Sequence, residues 1–559
     1  MKTVDFSDSN KSKRKCIDDD LQGFLKKQQK TADGFASTKG CAVTTINETR
    51  IANKTEYYNK ETKTIVTNEI KRNCPICNEV FLNAEQSHFE HHVHQCLDRS
   101  EEEKSQKSQT TNLWSKLFGT TRLKVRGIWS AKDDSAPGLN KSESAWFGRM
   151  ENKRIVPYYK YLAGTNLVVD AFSFGRIPEC EGYFLSHFHG DHYTNLNAGW
   201  THGPIYCSEI TSRLVQKKLR VPSNFIRPLP LNRSCLIPGT DNVSVTLIDA
   251  NHCPGAVMFL CVVPQTDSPP LRYLHTGDFR ACKEMCLHPL LKQPENPPID
   301  ILYLDTTYLD HKYSFPSQTT CIQLACDVVE RHINHNGDNQ LSNMDHLLTQ
   351  KKELKNKKII QKTVVVVGTY SLGKERIFIR IAKKLKSKIF VTDRKMEILS
   401  CFGDDELMKM LTDEPKEAQV HVIPLGHILP ENLEAYIRSL QPHFTQMVAF
   451  KPTGWTFRTS SLEQDRSLDA IISAGAADMT VLKSSYESLT LKIYEIPYSE
   501  HSSFRELALF IASLDIRRIV PTVNVHNEKS RAKMGSLFDR WQKEKKKMAV
   551  VDYPSLDHW

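Results

Sequence analysis

The sequence between residues 183 and 192 decides the fold of this chain, and it reads Tyr183-Phe184-Leu185-Ser186-His187-Phe188-His189-Gly190-Asp191-His192. Its apolar beginning predicts a short buried strand, and Gly190 in the following turn lets ligands two and four residues apart converge. Neutral imidazoles and a carboxylate are ligands that zinc-type metals accept, and this order supplies enough of them for two ions. The alternative is a solvated polar turn, and the polar residues downstream count against it.

Polar residues that can bind or orient a metal also follow other β-like segments. Asp170, His252 and Asp278 each come after a short apolar run. Because the ends of strands hold side chains rigidly, these residues are candidates for one common site. Asp170 could orient a histidine through a hydrogen bond.

With this order of motifs, the chain resembles the metallo-β-lactamase fold family. Further along, residues 304–308 look like motif A of the β-CASP nucleases, residues 497–503 look like motif B, and residues 521–523 occupy the place of motif C. Among β-CASP proteins, the chain is most similar to the DNA cross-link repair nucleases. The resemblance covers about residues 150–559, which is a domain-sized length.

The resemblance implies an α/β fold, namely a four-layer αββα metallo-β-lactamase sandwich with an inserted β-CASP domain, preceded by a small zinc finger and a disordered N-terminus. At 559 residues the chain is long enough for two or three domains. We expect a disordered basic tail over 1–70, a ubiquitin-binding-type zinc finger over 71–99, a linker over 100–149, the N-terminal metallo-β-lactamase part over 150–309, the β-CASP domain over 310–490 with an exposed insertion at 334–358, and the C-terminal metallo-β-lactamase part over 491–559.

For the nuclease site, the resemblance implies two metal positions that share one carboxylate. His187, His189 and His252 would hold the first ion. Asp191, His192 and His501 would hold the second, Asp278 would bridge the two, and Asp305 would orient His501. The implied catalytic residues are Asp191, His192, Asp278, Asp305 and His501. One or two zinc ions are expected, with Mg²⁺ or Mn²⁺ as alternatives at the second position. Two such cations favour in-line attack of water on a phosphodiester, so no serine or cysteine nucleophile is needed.

A second metal motif lies near the N-terminus. Cys74, Cys77, His92 and Cys96 have the spacing of a closed structural zinc site. The histidines at 88, 91 and 94 are alternatives, but residue 92 stands one helical turn before the last cysteine. The pattern resembles ubiquitin-binding zinc fingers, which implies ubiquitin or a ubiquitinated partner such as the sliding clamp. A DNA-binding finger is the rival interpretation.

The remaining N-terminal features are less specific. The basic run at 11–15 predicts either a nuclear import signal or a solvated tail. Residues 111–118 distantly resemble a clamp-binding peptide, and an apolar patch that packs on the nuclease is the alternative. The sequence has no run of about 18 apolar residues and no signal peptide. We therefore expect no membrane, a reducing compartment, and buried free thiols rather than disulfides among the 15 cysteines.

The segment after residue 362 contains a further motif. Residues 363–367 predict a buried parallel strand, and residues 368–374 spell G-x-x-x-x-G-K. Glu375 argues against nucleotide binding, because that place needs a hydroxyl for magnesium. Such a turn can still hold one phosphate through backbone N–H groups, and a plain helix start is the alternative. The predicted substrate contacts are Ser371, Gly373, Lys374, Ser499, Ser502, Ser503 and Val523.

Together these features predict a nuclear, monomeric, metal-dependent nuclease. By resemblance, it would be a 5′-to-3′ exonuclease that acts on 5′-phosphorylated single- and double-stranded DNA in interstrand cross-link repair. The net charge of +10 fits a polyanionic partner. An RNA-processing β-CASP nuclease is one alternative, although the RNA family has histidine where this chain has Val523. The other is a ubiquitin-binding scaffold with an inert nuclease domain, although no candidate ligand is missing.

Overall fold

The computed structural model describes residues 155–335, 362–454, 467–473, 479–525 and 527–547, together with the backbone of four short strands before them. These strands, β1 to β4, form two antiparallel pairs. The predicted finger ligands, the basic run and the predicted clamp-binding peptide lie outside the described residues. The four strands are Tyr57–Tyr58, Ile65–Val66, Lys71–Asn73 and Val80–Leu82.

The main body is built from strands and helices that alternate along the chain. The further strands are β5 Leu167–Val169, β6 Gly182–Phe184, β7 Ile205–Ser208, β8 Ile226–Leu229, β9 Ser234–Leu236, β10 Ser244–Asp249, β11 Val257–Val263, β12 Leu271–His275, β13 Ile299–Leu304, β14 Thr363–Thr369, β15 Lys388–Phe390, β16 Leu411–Thr412, β17 Ala418–Pro424, β18 Gln446–Pro452, β19 Ser484–Glu487, β20 Leu491–Ile496 and β21 Ile516–Pro521. The described α-helices are α1 Gly190–Tyr193, α2 Glu209–Leu214, α3 Lys283–Cys286, α4 Gln318–His335, α5 Glu375–Leu385, α6 Asp393–Leu399, α7 Asp405–Met410, α8 Pro430–Leu440, α9 Leu468–Ser473, α10 Phe504–Ser513 and α11 Glu528–Lys545.

Two sheets face each other in the first unit. One has four parallel strands in the order β5-β6-β7-β8, and the other has six in the order β21-β13-β12-β11-β10-β9. Alternation along the strands separates two cores: Phe184 packs between the sheets with Phe259, whereas Tyr183 and Leu185 face the outer helical layer. Helix α2 contacts β7 and β8, and α11 contacts β21. This is the predicted αββα sandwich.

The second unit is a seven-stranded sheet in the order β16-β15-β17-β14-β18-β20-β19. Strand β14 lies at its centre, parallel to both neighbours, and all its residues are buried. Val365 and Val367 pack in one core with residues of α4 and α5, and Val364 and Val366 pack in the other with residues of α8. The predicted buried parallel strand is confirmed, because a strand covered on both faces needs a continuous apolar run.

The connection between the two units differs from the predicted boundaries. Strand β20 pairs with β18 inside the seven-stranded sheet, and only β21 returns to the six-stranded sheet beside β13. The C-terminal part of the sandwich therefore begins after β20 and not at residue 491, because Leu491 and Ile493 are buried in the second unit's core. Helix α4 extends to His335, so the predicted exposed insertion does not begin at 334, and residues 336–361 lie outside the described part.

Membrane spans and disulfides can be examined in the described residues. In that part of the chain, no helix has the length and apolarity to cross a bilayer. The cysteines there, from residue 180 to residue 401, all have free thiols, and most of them are buried.

Candidate metal centre

The turn after β6 is held by the carboxylate that ends β5. The Ser186 backbone N–H donates to Asp170 Oδ1 over 2.8 Å, and the Ser186 hydroxyl donates to Asp170 Oδ2 over 2.7 Å. Asp170 itself has a left-handed backbone with φ of 50°. The Lys160 ammonium donates to the Asp170 carbonyl over 2.7 Å, which fixes this turn from the other side. The two parallel strands β5 and β6 thus bring residue 170 beside the histidine run.

Two histidines of the run take their orientation from this carboxylate. His192 Nδ1 lies 2.7 Å from Asp170 Oδ2, and an ionised carboxylate can only accept, so His192 donates through Nδ1. The O–H of Ser186 is used in the hydrogen bond to Asp170, so the hydroxyl oxygen accepts from His187 Nδ1 over 2.9 Å. In the neutral form of each ring the lone pair is therefore on Nε2, which is the nitrogen available to a metal.

Backbone carbonyls orient the next two histidines. His189 Nε2 lies 3.2 Å from the Leu372 carbonyl, and His252 Nδ1 lies 2.7 Å from the Glu500 carbonyl. Because a carbonyl cannot donate, the lone pairs are on Nδ1 of His189 and Nε2 of His252. His189 Nδ1 is 2.9 Å from Nε2 of His187 and 3.1 Å from Nε2 of His252. Three buried lone pairs are therefore directed at one point, as a tetrahedral zinc ion requires.

A second group of ligands adjoins the first across Asp278. Its Oδ2 lies 3.2 Å from His192 Nε2 and 3.7 Å from His187 Nε2. Asp191 Oδ2 is 3.4 Å from His192 Nε2. His501 donates through Nδ1 to Asp305 over 2.8 Å, and its Nε2 is 4.0 Å from Asp278 Oδ2. Asp278 thus stands between the two groups.

The electrostatics of the centre favour a bound cation. Burial, and then the neighbouring imidazoles, lower the pKa of His187 and His252 well below its ordinary value. Burial also opposes protonation of His192, but the surrounding aspartates together raise its pKa well above the ordinary value. Burial raises the pKa of Asp170, yet His192 and other neighbours hold it below its usual range. The neutral rings of His187 and His252 are thus already in the protonation state of metal ligands, and a cation bound beside the aspartates would displace the proton from His192.

The comparisons with known proteins agree with this geometry. Residues 405–527 match the family model described as DNA repair metallo-beta-lactamase. DNA cross-link repair protein pso2/snm1 of Schizosaccharomyces pombe is 36% identical over 498 residues, which cover 87% of this chain and 80% of the relative. The chain belongs to the SNM1/Pso2 family of DNA cross-link repair proteins.

Two further relatives extend the comparison. The human DNA cross-link repair 1A protein is 35% identical over 449 residues, which cover 80% of this chain but 37% of that relative. The 5′ exonuclease Apollo of Danio rerio is 29% identical over 368 residues, which cover 65% of this chain and 52% of the relative. The suspected resemblance to the cross-link repair nucleases is therefore confirmed.

For this SNM1/Pso2 member, several predicted substrate contacts are already occupied within the fold. The Lys374 side chain is 5% exposed, and its Nζ lies 3.6 Å from Glu500 Oε2. The Lys374 backbone N–H donates to Glu500 Oε1 over 2.6 Å, and the Gly373 N–H donates to Glu375 Oε1 over 2.9 Å. The chain's own carboxylates therefore already accept these N–H groups, and the phosphate role of this turn stays a prediction.

The serines after β20 are occupied in a similar way. Ser503 caps α10 by accepting the Glu506 N–H, and the Ser502 hydroxyl donates to the Phe279 carbonyl over 3.0 Å. The Ser499 hydroxyl accepts the His501 N–H over 3.0 Å. These buried hydroxyls shape the turn that presents His501, and their direct contact with a phosphate stays a prediction. Ser371 is half-buried and stays a predicted contact, as does Val523, whose backbone pairs with the Thr306 hydroxyl.

The sequence interpretation missed three residues that support the site. Lys160 holds the Asp170 turn, and Glu500 contributes its carbonyl to His252. Arg280 is 1% exposed, pairs with Glu506 over 2.9 Å, and donates to the Ser499 carbonyl over 2.7 Å. None of the three had a signal in the sequence, because backbone acceptors and the partners of buried charges are defined only by the tertiary structure.

Proposed function

We propose that this chain is a metal-dependent DNA nuclease that removes nucleotides from 5′-phosphorylated ends in the 5′-to-3′ direction, during repair of interstrand cross-links. The observation that carries the proposal is the cluster of five oriented imidazoles, four of which group with Asp278. Family membership supports cross-link repair, and the name of the zebrafish relative, 5′ exonuclease Apollo, supports the 5′ direction.

In this proposal the ligands divide between two cations. His187, His189 and His252 offer three nitrogens, a set that suits zinc. The Asp191, His192 and His501 group with Asp278 mixes nitrogen and oxygen, so zinc, manganese or magnesium fits there. When bound, the two cations would lower the pKa of a water molecule and offset the charge that develops on the phosphate oxygens. Asp305 holds the His501 ring, and Asp170 holds His192, so that both rings keep one orientation throughout the reaction.

The experiment uses the full chain with end-labelled single-stranded DNA, double-stranded DNA and RNA, each carrying a 5′-phosphate or a 5′-hydroxyl. We expect mononucleotide products from phosphorylated DNA, and no products after treatment with a chelator, with activity restored by zinc or manganese. Internal fragments would instead indicate endonuclease action. Faster digestion of RNA would overturn the DNA assignment and favour the RNA-processing alternative.

The N-terminal finger would add a partner to this activity. We propose that Cys74, Cys77, His92 and Cys96 bind one zinc ion and that the finger binds ubiquitin, for example on a ubiquitinated sliding clamp, in the nucleus. A Cys77→Ala variant should lose ubiquitin binding and keep nuclease activity on free DNA, because coordination supplies most of the folding energy of so small a unit. Ubiquitin binding that survives the substitution would contradict the assignment. Sedimentation of the full chain tests the expected monomer.

A further inference from the structure

Two carbonyl groups that orient metal ligands come from segments outside the metallo-β-lactamase motifs. The Leu372 carbonyl, in the turn between β14 and α5 of the inserted domain, accepts from His189. The Glu500 carbonyl, after β20, accepts from His252. Both rings belong to the first metal position, so the spacing between these two carbonyls sets the angle between two of its three ligands.

A carboxylate links the two segments. Glu500 is 6% exposed, and its Oε1 accepts the Lys374 backbone N–H over 2.6 Å. The neighbouring Gly373 has φ of 109°, and a Cβ built there would lie 2.7 Å from Glu500 Oε2. The carboxylate therefore packs directly against the glycine backbone, at a distance that no other residue permits. Successive N–H groups in such a left-handed turn can hold an anion, and here the Lys374 N–H holds the carboxylate of Glu500.

The same turn is fixed from its opposite side. Glu375 Oε1 accepts the Gly373 N–H over 2.9 Å and pairs with Lys395 over 2.9 Å. Lys395 also donates to the Ser371 carbonyl over 3.0 Å. Because the turn is held at residues 371, 373 and 374, the Leu372 carbonyl between them has little freedom to move. The Glu500 carboxylate joins this turn to the Glu500 carbonyl, which accepts from His252.

We propose that Glu500 is a positioning residue through which the inserted domain sets the metal affinity of the first position. The inference rests on the metal site of the proposed function but concerns binding and not cleavage. Glu500 contacts His252 through its backbone carbonyl, and its carboxylate accepts the Lys374 N–H. It acts by locking the turn at 372–374 to its own backbone, so that His189 and His252 present their lone pairs at a fixed separation. Supports of this kind are typically worth 10–100-fold in metal affinity.

The test measures zinc affinity of the full chain by competition with a colorimetric chelator. Glu500→Gln keeps the shape and the backbone carbonyl but removes the charge, and Gly373→Ala pushes a methyl group into the carboxylate. We expect each variant to bind zinc about 10–100-fold more weakly than the unmodified protein. Glu495→Gln is the matched control, because Glu495 lies on β20 nearby and forms only a half-exposed pair with Lys451. It should leave the affinity unchanged. The predicted finger is present in every variant, so any zinc that it binds contributes equally to all the measurements.

A purely structural role would lower the unfolding temperature of the metal-free protein without changing the affinity of the folded fraction. Zinc affinity of Glu500→Gln within twofold of the unmodified protein would therefore overturn the inference, whatever the stability. If that variant does not fold, Gly373→Ala is judged by the same criterion.

Hydrogen exchange gives an independent measurement on the unmodified protein. If the metal and the turn are coupled, zinc must stabilise the turn by reciprocity, so the amides of Gly373 and Lys374 should exchange more slowly with zinc than without it. Equal exchange in the two states would overturn the inference. If the unmodified protein bound no metal at the Asp278 group, the proposed function itself would be refuted. Failure of the proposed function can therefore be distinguished from failure of the inference about Glu500.

Discussion

Two turns of this molecule look alike in sequence but differ in which of their hydrogen-bonding groups remain available to a ligand. Both follow a buried parallel strand and lead into a helix: the turn at 185–190 after β6, and the turn at 370–374 after β14. In the first, acceptors take one N–H of each ring and direct the remaining lone pairs together. In the second, Glu375 and Glu500 accept the N–H groups of Gly373 and Lys374.

The difference teaches how to separate a binding site from a structural turn. A polar turn becomes a site when the fold fixes its groups without supplying the partner. His421 shows the opposite case within the second sheet: its Nε2 donates to backbone carbonyls, and its Nδ1 accepts from the Tyr436 hydroxyl over 2.7 Å. Both nitrogens are satisfied by the chain, so burial alone does not make a histidine a ligand.

The largest expected effect comes from removing a ligand in the first turn. Asp191→Asn or His192→Ala should lower the cleavage rate on the order of 1,000-fold or more, because metal stabilisation of the developing charge is worth several kcal/mol and 1.36 kcal/mol is tenfold in rate. Digestion of end-labelled DNA measures this, and Asp241→Asn in an exposed turn is the control. Near-native rates in either variant would contradict the assignment of the second metal position.

Removing the lysine of the second turn should act on stability. Lys374→Ala leaves the Glu500 carboxylate buried without its cation, which typically costs about 3–5 kcal/mol in the free energy of unfolding. Denaturant unfolding measures that loss. Digestion of 5′-phosphorylated and 5′-hydroxyl DNA should slow by the same factor. Selective slowing on the phosphorylated end would break the comparison, because the turn would then contact the substrate.

A smaller loss should follow when a histidine support of the metal centre is weakened. Asp305→Asn removes the charge that accepts from His501 over 2.8 Å, and it should reduce metal affinity or activity about 10–100-fold. Zinc competition and cleavage assays measure the two quantities. The control is Asp310→Asn, five residues later in the chain and half-exposed. An unchanged affinity in Asp305→Asn would show that the metal itself holds the His501 ring.

The smallest effect concerns the satisfied histidine of the second unit. Burial lowers the pKa of His421 to about 4, so the folded state binds fewer protons than the unfolded state, whose histidine titrates near 6.5. The resulting stability is present above pH 6.5 and is lost as the pH falls toward 4. At pH 5.5 the loss should be about 1.4 kcal/mol. Comparing denaturant unfolding at pH 7.5 and 5.5 tests this, with His421→Gln as the variant that should show a smaller pH dependence.

The sequence predicted the residues of the metal centre better than those of the substrate end. The histidine run, Asp278 and the buried strand at 363–367 combine residue types that have few other uses in that order, and the structure brings the histidines and Asp278 together. The role of the G-x-x-x-x-G-K stretch and of the serines of residues 499–503 cannot be read from residue type, because the same residue types serve equally well as internal hydrogen-bond partners.

The sequence by itself determined the fold class, the family and the set of candidate ligands, since these depend on residue type and spacing along the chain. Only the tertiary structure decided which nitrogen of each imidazole carries the lone pair and which charges are already paired. The Leu372 carbonyl lies 183 residues from His189, and the Glu500 carbonyl lies 248 residues from His252. Backbone acceptors have no signature in the sequence, so such partners exist only once both units have folded against each other.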